Sequence, residues 1–388
     1  MRTRFIKRLD AHLSPLGFGV MHLAKNADGG FPPEVHALLA AALEKGINYF
    51  DTGYFYLGGR SEGLIRDALV RRYPRDSFYI ADKLPGWACK DRGDMERIFN
   101  QQLERLGVDS IDFYLLQALQ RQSWLAICGK GVLDFLDEKR RNGQIRKVGF
   151  SMHDTAETLM LIDRAYGWDF AQLQINYYDW ITQRAKESYE YLAERDIPCM
   201  VMEPVGGGRL AKLPPEADAL LREVRPNASA ASWALRFVAA LPNVAVTLSG
   251  MSTAGQLDEN IQACGMAEPL SEAEERAIGG VVKALQSKNA VPCGLCQYCV
   301  GSCPKRIDIP QIFTRYNDYM MFDNSLRLDL SYAFVPRGRR ADSCISCGEC
   351  AKRCPQNIDI PRELKRIHDM AVDLSIGVAV EKIRDRSN

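Results

Sequence analysis

The sequence has no uninterrupted apolar stretch long enough to span a bilayer, which argues against a helical membrane protein. It has no excess of one charge either. Lys and Arg number 50 against 49 Asp and Glu, a net charge of +1, so composition gives no sign of a nucleic-acid partner or an acidic membrane surface. The basic start, MRTRFIKRLD, is not followed by the apolar core of a signal peptide. The glycine fingerprint of an open dinucleotide-binding sheet is missing too, because the first apolar run reads LGFGVMHL. Together these absences lead us to expect a cytoplasmic protein free of membrane and nucleic acid.

What remains is an ordinary globular composition, 46% hydrophobic and 26% charged, over 388 residues. That length suits one large domain and one small one. Twelve cysteines are present, and eight of them crowd into two short stretches after residue 290, while Cys89, Cys128, Cys199 and Cys264 are scattered. A disulfide scaffold would be short, secreted and evenly stapled, so the clustering points to metal ligation in a reducing compartment.

CGLCQYCVGSCP places cysteines at 293, 296, 299 and 303, and CISCGECAKRCP places them at 344, 347, 350 and 354. Both follow C-x2-C-x2-C-x3-C-P, the spacing of bacterial [4Fe–4S] sites, in which the fourth cysteine serves the other cluster. Cys293, Cys296, Cys299 and Cys354 are therefore assigned to one cluster, and Cys344, Cys347, Cys350 and Cys303 to a second. CPKRIDIP at 303–310 recurs as CPQNIDIP at 354–361, an offset of 51 residues that marks an internal duplication. Zinc sites usually supply cysteines in pairs without the trailing proline. The expected module resembles a two-[4Fe–4S] ferredoxin, mainly helical, within residues 289–388 and closed by a C-terminal helix.

Upstream, eight short apolar runs alternate with helix-length amphipathic stretches: PLGFGVM, NYFDTG, FYIADKL, DFYLLQ, KVGFSM, AQLQINY, PCMVMEP and VAVTLSG. Eight β-then-α units predict a parallel (β/α)8 barrel over residues 1–288, an α/β fold. DTAETLMLIDRAYG predicts a helix opened by a capping box of Asp154 and Glu157. In such a barrel the catalytic groups gather where strands end. That rim would hold Asp51, Tyr56, Lys83, Gln117, Ser151 with His153, Gln172 to Asn176, and Glu203. A buried lysine beside a tyrosine favours the phenolate and is expected to lower the phenol from about 10 toward neutrality. An aspartate beside that lysine keeps it charged. Such a tyrosine can exchange a proton with a substrate oxygen.

INYFDTGYFYLGGRSE, FYIADKLP, DFYLLQ, VGFSMH and LSGMSTAGQLDENI together resemble the aldo-keto reductase family over about residues 10–285. With the cysteine-rich tail, the chain resembles that family's iron–sulfur branch. The resemblance implies a nicotinamide-dependent oxidoreductase acting on a carbonyl or alcohol. It makes Asp51, Tyr56 and Lys83 three of four catalytic groups, Ser151 and Gln172 contacts of the nicotinamide carboxamide, and Gly250, Gln256 and Asn260 part of the adenosine-side segment.

Two departures stand out. Where the family has a catalytic histidine, this chain has Gln117, which can orient and polarise a carbonyl but does not titrate. Gln117 then serves as an orienting donor, or His22 or His153 supplies the proton, or the substrate is an enone or undergoes elimination. The coenzyme-phosphate segment also lacks the family's basic and hydroxyl residues near Gly250 and Met251 and its arginine near Gln256, which favours NAD(H) over NADP(H), although Arg209 after GGG could still reach a phosphate. Trp87, Tyr54, Phe55, Tyr178 and Trp180 are candidates for the pocket wall. The clusters have three open roles: structural, a docking face for an electron-transfer protein such as a ferredoxin, or a redox input to the barrel. A cluster-fed reductase or eliminase, and a non-catalytic electron-transfer subunit, are the alternatives to hydride transfer.

Overall fold

The computed structural model describes residues 1–21, 23–26, 30–265, 268–288, 291, 293, 299–322, 338–354 and 357–385. The chain divides into two compact units, Met1–Ala211 with Ala228–Ser271, and Lys212–Asn227 with Glu272–Asn388. Among the described residues no helix is long and apolar enough to cross a membrane.

The first unit opens with a hairpin of β1 (Arg4–Ile6) and β2 (Ala11–Leu13). Eight parallel strands follow and close on themselves: β3 (Leu16–Gly19), β4 (Tyr49–Asp51), β5 (Tyr79–Leu84), β6 (Ile111–Leu119), β7 (Ile145–Met152), β8 (Phe170–Gln174), β9 (Cys199–Met202) and β10 (Val244–Ser249). Each predicted run overlaps one of them, and β6, β7 and β8 begin one or two residues before their runs. The interior is filled by Tyr49, Phe113, Leu115, Phe170, Met200, Val246 and Leu248, joined by Leu9, Ala11 and Leu13 of the hairpin. Packing there is close enough to need glycine in β7, because a β-carbon on Gly149 would stand 2.6 Å from the Phe170 ring.

The outer helices of this unit are α1 (Pro33–Glu44), α2 (Ser61–Ile65), α3 (Arg92–Leu106), α4 (Arg121–Cys128), α5 (Val132–Arg141), α6 (Ala156–Asp163), α7 (Asp179–Thr182) and α8 (Ala185–Glu194). Helix α3 illustrates how the sequence sets them. Asp91 caps it by accepting from the Asp94 N–H at 3.1 Å, Met95, Ile98, Phe99, Gln102 and Leu106 form its buried stripe, and Gly107 ends it at φ +68°. Helix α6 differs from the expected capping box. It starts after Thr155, and Asp154 instead accepts from the Arg121 backbone N–H at 2.8 Å, tying two rim loops together. α10 (Ala230–Ala239) and α11 (Ala254–Gly265) complete this unit, and α9 (Pro215–Val224) and α12 (Glu272–Gln286) fall in the second.

The rest of the second unit contains α13 (Ile309–Phe322), α14 (Glu349–Lys352) and α15 (Ile360–Asp385). The 51-residue repeat reappears here as geometry. Arg306 and Asn357 both adopt left-handed backbone, at φ +51° and +52°. Their N–H groups donate to the carbonyls of Cys303 and Cys354, at 2.9 and 3.1 Å. Each turn feeds a helix, and Ile307 and Ile309 match Ile358 and Ile360 in one shared core.

Candidate active site and cluster pocket

Asp51 ends β4, and Lys83 lies next to the end of β5. Both are buried, and Lys83 Nζ donates to Asp51 Oδ1 at 2.5 Å and to the Thr52 carbonyl at 2.5 Å. The loop after β4 brings Tyr56 back over this pair, with Lys83 Nζ 4.8 Å from the centre of its ring. Gly53 makes that return feasible, since a β-carbon there would sit 3.0 Å from the tyrosine ring. Thr52 Oγ1 donates to Ser61 Oγ at 2.7 Å and pins the loop to α2.

The electrostatics follow from burial. Loss of solvent pulls the Lys83 ammonium down, but the charge of Asp51, with that of Tyr56 once the phenol ionises, outweighs it and holds the group above its ordinary value. Asp51 is raised by burial, against the pull of Lys83. Burial also raises Tyr56, Lys83 lowers it by charge and hydrogen bond, and Asp51 raises it again, leaving the phenol above its usual range. This corrects the expectation of a phenol lowered toward neutrality. Lys83 is already neutralised by Asp51 at 2.5 Å, so too little of its charge is left to offset dehydration of the phenolate. The site therefore holds a protonated phenol at neutral pH, an acid suited to delivering a proton.

Gln117 does not stand at a simple strand end. The register of β6 on β7 shifts between Leu116 and Leu119, and Ala118 is left-handed at φ +49°. A non-glycine residue held there is strained, and the kink re-aims its neighbour. The Ala118 N–H donates to Ser151 Oγ at 2.8 Å, which joins the kink to the end of β7. Gln117 Oε1 is buried with no donor among the described residues, and so is Gln172 Oε1, while Gln172 Nε2 faces Met202 Sδ at 3.7 Å. Two orphaned amide oxygens on the same rim, beside Ser151, are a fit for ligands that bring N–H or O–H groups, as a carboxamide does.

Other candidates separate. His153 is exposed, with a ring nitrogen 3.1 Å from Gln174 Oε1, and His22 lies outside the described residues. Glu203 is left-handed at φ +52° and accepts from Asn176 through its carbonyl. Phe55 and Trp87 are exposed at the rim with rings stacked at 6.5 Å. Tyr54 packs under Arg105 and Trp180 on Tyr189 and Phe237, while Tyr178 is buried. Asn260 Nδ2 donates to Ser249 Oγ at 3.0 Å, Gln256 Oε1 accepts from the Ser252 N–H and hydroxyl, Met251 is buried, and Gly250 has ordinary space around it. Arg209 Nε donates to the Gly206 carbonyl. No sequence pattern flagged the buried Asp82, Glu62 and Gln102 behind Lys83; a charged residue inside the apolar strand YIADKL was the one available signal.

In the second unit Cys303, Cys344, Cys347 and Cys350 line one small open pocket, walled by Ile307, Ile309 and Leu364. Three come from one motif and the fourth from the other. Burial raises the Cys350 thiol, and the nearby Cys344 and Cys303 add to the shift. A thiol held back from ionising beside its neighbours fits a cationic iron centre, which removes that conflict. Cys299 is buried in the same core, Cys293 and Cys354 pack against it, and Cys296 lies outside the described residues.

A closed parallel barrel with Asp, Tyr and Lys gathered at its strand ends agrees with the comparison to known proteins. The aldo/keto reductase family model matches residues 15–283, and the chain belongs to that family. A 4Fe-4S dicluster domain model matches residues 292–358. The chain is 26% identical over 317 residues to the uncharacterized oxidoreductase YqkF of Bacillus subtilis, covering 74% of this chain and 96% of that protein. It is 24% identical over 281 residues to L-galactose dehydrogenase of Arabidopsis thaliana, covering 68% and 88%. Among solved structures, the holo form of aldo-keto reductase AKR11C1 from Bacillus halodurans superposes with a TM-score of 0.60 at 24% identity, over 72% of this chain and 96% of that one. An aldo-keto reductase of Klebsiella pneumoniae in complex with NADPH gives 0.58 at 19% identity, over 71% and 93%. These two likenesses establish the fold.

Proposed function

We propose that the protein reduces a carbonyl compound with a nicotinamide coenzyme and carries two [4Fe–4S] clusters in its second unit. The observation that carries this reading is the buried Lys83–Asp51 pair, 2.5 Å apart, beneath the ring of Tyr56. Ser151 and Gln172 would hold the carboxamide of the nicotinamide, which when bound supplies the hydride. Tyr56 gives its proton to the carbonyl oxygen as the carbon is reduced, so an alcohol forms. Lys83 steadies the phenolate left behind, Asp51 keeps Lys83 charged, and Gln117 donates through Nε2 to orient the oxygen. The stacked Phe55 and Trp87 rings offer a platform for the flat or apolar part of a substrate.

NAD(H) is the favoured coenzyme. A 2′-phosphate needs charge-assisted donors, and at the positions where they would stand Met251 is buried and Gln256 is occupied by Ser252. Steady-state kinetics with both coenzymes over a panel of aldehydes and ketones tests this. We expect kcat/KM to be at least about tenfold higher with NADH, which corresponds to the loss of one charge-assisted bond; the reverse ratio would discard the preference, and no turnover with either would discard the reading.

A second reading draws on the cluster pocket. Cys347 is exposed at its edge, which suits exchange of single electrons with a ferredoxin-like carrier. Substrate reduction by dithionite or a reduced ferredoxin, without any nicotinamide, would favour it.

A further inference from the structure

Successive residues of a strand face opposite sides. Lys83 enters the barrel, and Asp82 faces the helices outside it. Asp82 is fully buried, and its Oδ1 accepts the Lys83 backbone N–H at 2.7 Å. Glu62 on α2 is equally buried, and its Oε2 meets Arg105 Nη1 at 2.9 Å. That leaves Asp82 Oδ2 and Glu62 Oε1, each buried with no donor among the described residues. The two carboxyls act on each other: the charge of Glu62 raises Asp82, and a hydrogen bond from Asp82 lowers Glu62. If both were ionised, two anions would touch in a dry interior and two oxygens would stay unsatisfied. One proton between them removes both problems.

We infer that Asp82 and Glu62 share a single proton behind the barrel wall, resting mainly on Asp82 because Arg105 stabilises the charge on Glu62, and that this pair positions Lys83. Asp82 holds the lysine's N–H, while Gln102 Nε2 donates to its carbonyl at 2.9 Å. Gln102 is itself fixed, because its Oε1 accepts from the Tyr114 hydroxyl at 2.7 Å. Both backbone groups of the lysine are thus gripped from outside, and its ammonium is aimed at Asp51. The charged and titratable groups around the pair are Arg105 from α3, Tyr114 from β6, Asp51 from β4, Lys83, and Tyr56 from the rim. Burial, then the charge of Glu62, raises Asp82 well above the usual carboxylate range, in agreement with a retained proton, while Arg105 and a hydrogen bond from Asp82 work against the burial that raises Glu62.

The effect on turnover rests on the role proposed above for Lys83; the shared proton does not. Infrared difference spectra of the wild-type holoenzyme in H2O and D2O at neutral pH read the proton directly. We expect a protonated-carboxyl carbonyl band that shifts in D2O and is lost in Asp82→Asn. Its absence from the wild type overturns the proposal, whatever the variants do. Stability supplies a second readout. A carboxyl raised on folding keeps a proton that the unfolded chain has lost, so wild-type stability falls as pH rises above the ordinary carboxyl range, about 4, and goes on falling until the raised Asp82 ionises in the folded protein. Relative to Asp82→Asn, the wild-type folding constant should fall by about tenfold per pH unit in that window; parallel curves would contradict the shared proton. For positioning, Asp82→Ala should lower kcat at least about tenfold with coenzyme KM within about threefold, and Asp82→Asn, which keeps the acceptor for the Lys83 N–H, should restore most of it. An unaltered kcat in Asp82→Ala would remove the positioning role while leaving the infrared result to decide the proton.

Discussion

Replacing Tyr56 by Phe isolates one proton. The ring keeps its place over Lys83 Nζ, 4.8 Å from the centroid, and its contact with Gly53. The Lys83–Asp51 pair keeps its 2.5 Å bond. Only the hydroxyl is lost, and at a half-buried position that costs stability about 1 kcal/mol or less. The kinetic cost is much larger. A positioned proton donor contributes about 10²–10⁴ in rate, or about 3–5 kcal/mol of barrier at about 1.4 kcal/mol per tenfold. Single-turnover mixing of the enzyme–NADH complex with a carbonyl substrate, following coenzyme absorbance, reads the chemical step free of product release. We expect a loss within that range, with the coenzyme Kd unchanged within about twofold. Because burial holds the phenol above its ordinary value, wild-type reduction should stay level through neutral pH and decline only in the alkaline range where the phenol ionises. A Phe variant within about threefold of wild type, or a wild-type rate that falls between about pH 6 and 8, a window unperturbed tyrosine does not titrate in, would refute the assignment of Tyr56 as the acid.

Lys83→Met strands the Asp51 carboxylate, one oxygen of which already lacks a donor among the described residues, in a dry site. Breaking a buried pair on one side costs about 3–5 kcal/mol, measured by urea unfolding, and the double variant with Asp51→Asn should recover part of it. Gln117→His introduces a group titrating near 6.5; if Gln117 acts only by orienting the carbonyl, the variant should gain a new pH-dependent limb near that value, and a profile parallel to wild type would show that position 117 is remote from the reacting oxygen. Cys303→Ser and Cys344→Ser should each lose about half the bound iron and leave the same surviving paramagnetic signal, since both cysteines line one cavity; different surviving signals would break that grouping.

The barrel was legible because its eight runs are β-rich, short and spaced by helical patterns, so period and count agreed. The hairpin before it was not, although Leu9, Ala11 and Leu13 alternate toward the core, because strands of three residues are too short to stand out. Asp51, Tyr56 and Lys83 were legible as a set, yet the direction of the phenol's shift was not. That direction depends on how a 2.5 Å ion pair divides the lysine's charge against burial, a balance of distances that no spacing encodes. The kink at Ala118 and the orphaned oxygen of Gln117 were hidden for the same reason. Asp82 and Glu62 are 20 residues apart and carry no joint motif; only the fold makes them neighbours. The cysteine repeat was the most readable feature, since its 51-residue offset survives as paired left-handed turns at Arg306 and Asn357.

Hydride transfer and cluster-fed reduction differ in where the new C–H hydrogen comes from. Anaerobic turnover of the wild-type holoenzyme with NADH deuterated at the transferring position, followed by mass spectrometry of the alcohol, decides between them. One deuterium per product on the carbinol carbon is the result expected of a barrel built around Tyr56 and Lys83. Product carrying hydrogen from solvent on that carbon, formed equally well when dithionite replaces the coenzyme, would contradict it.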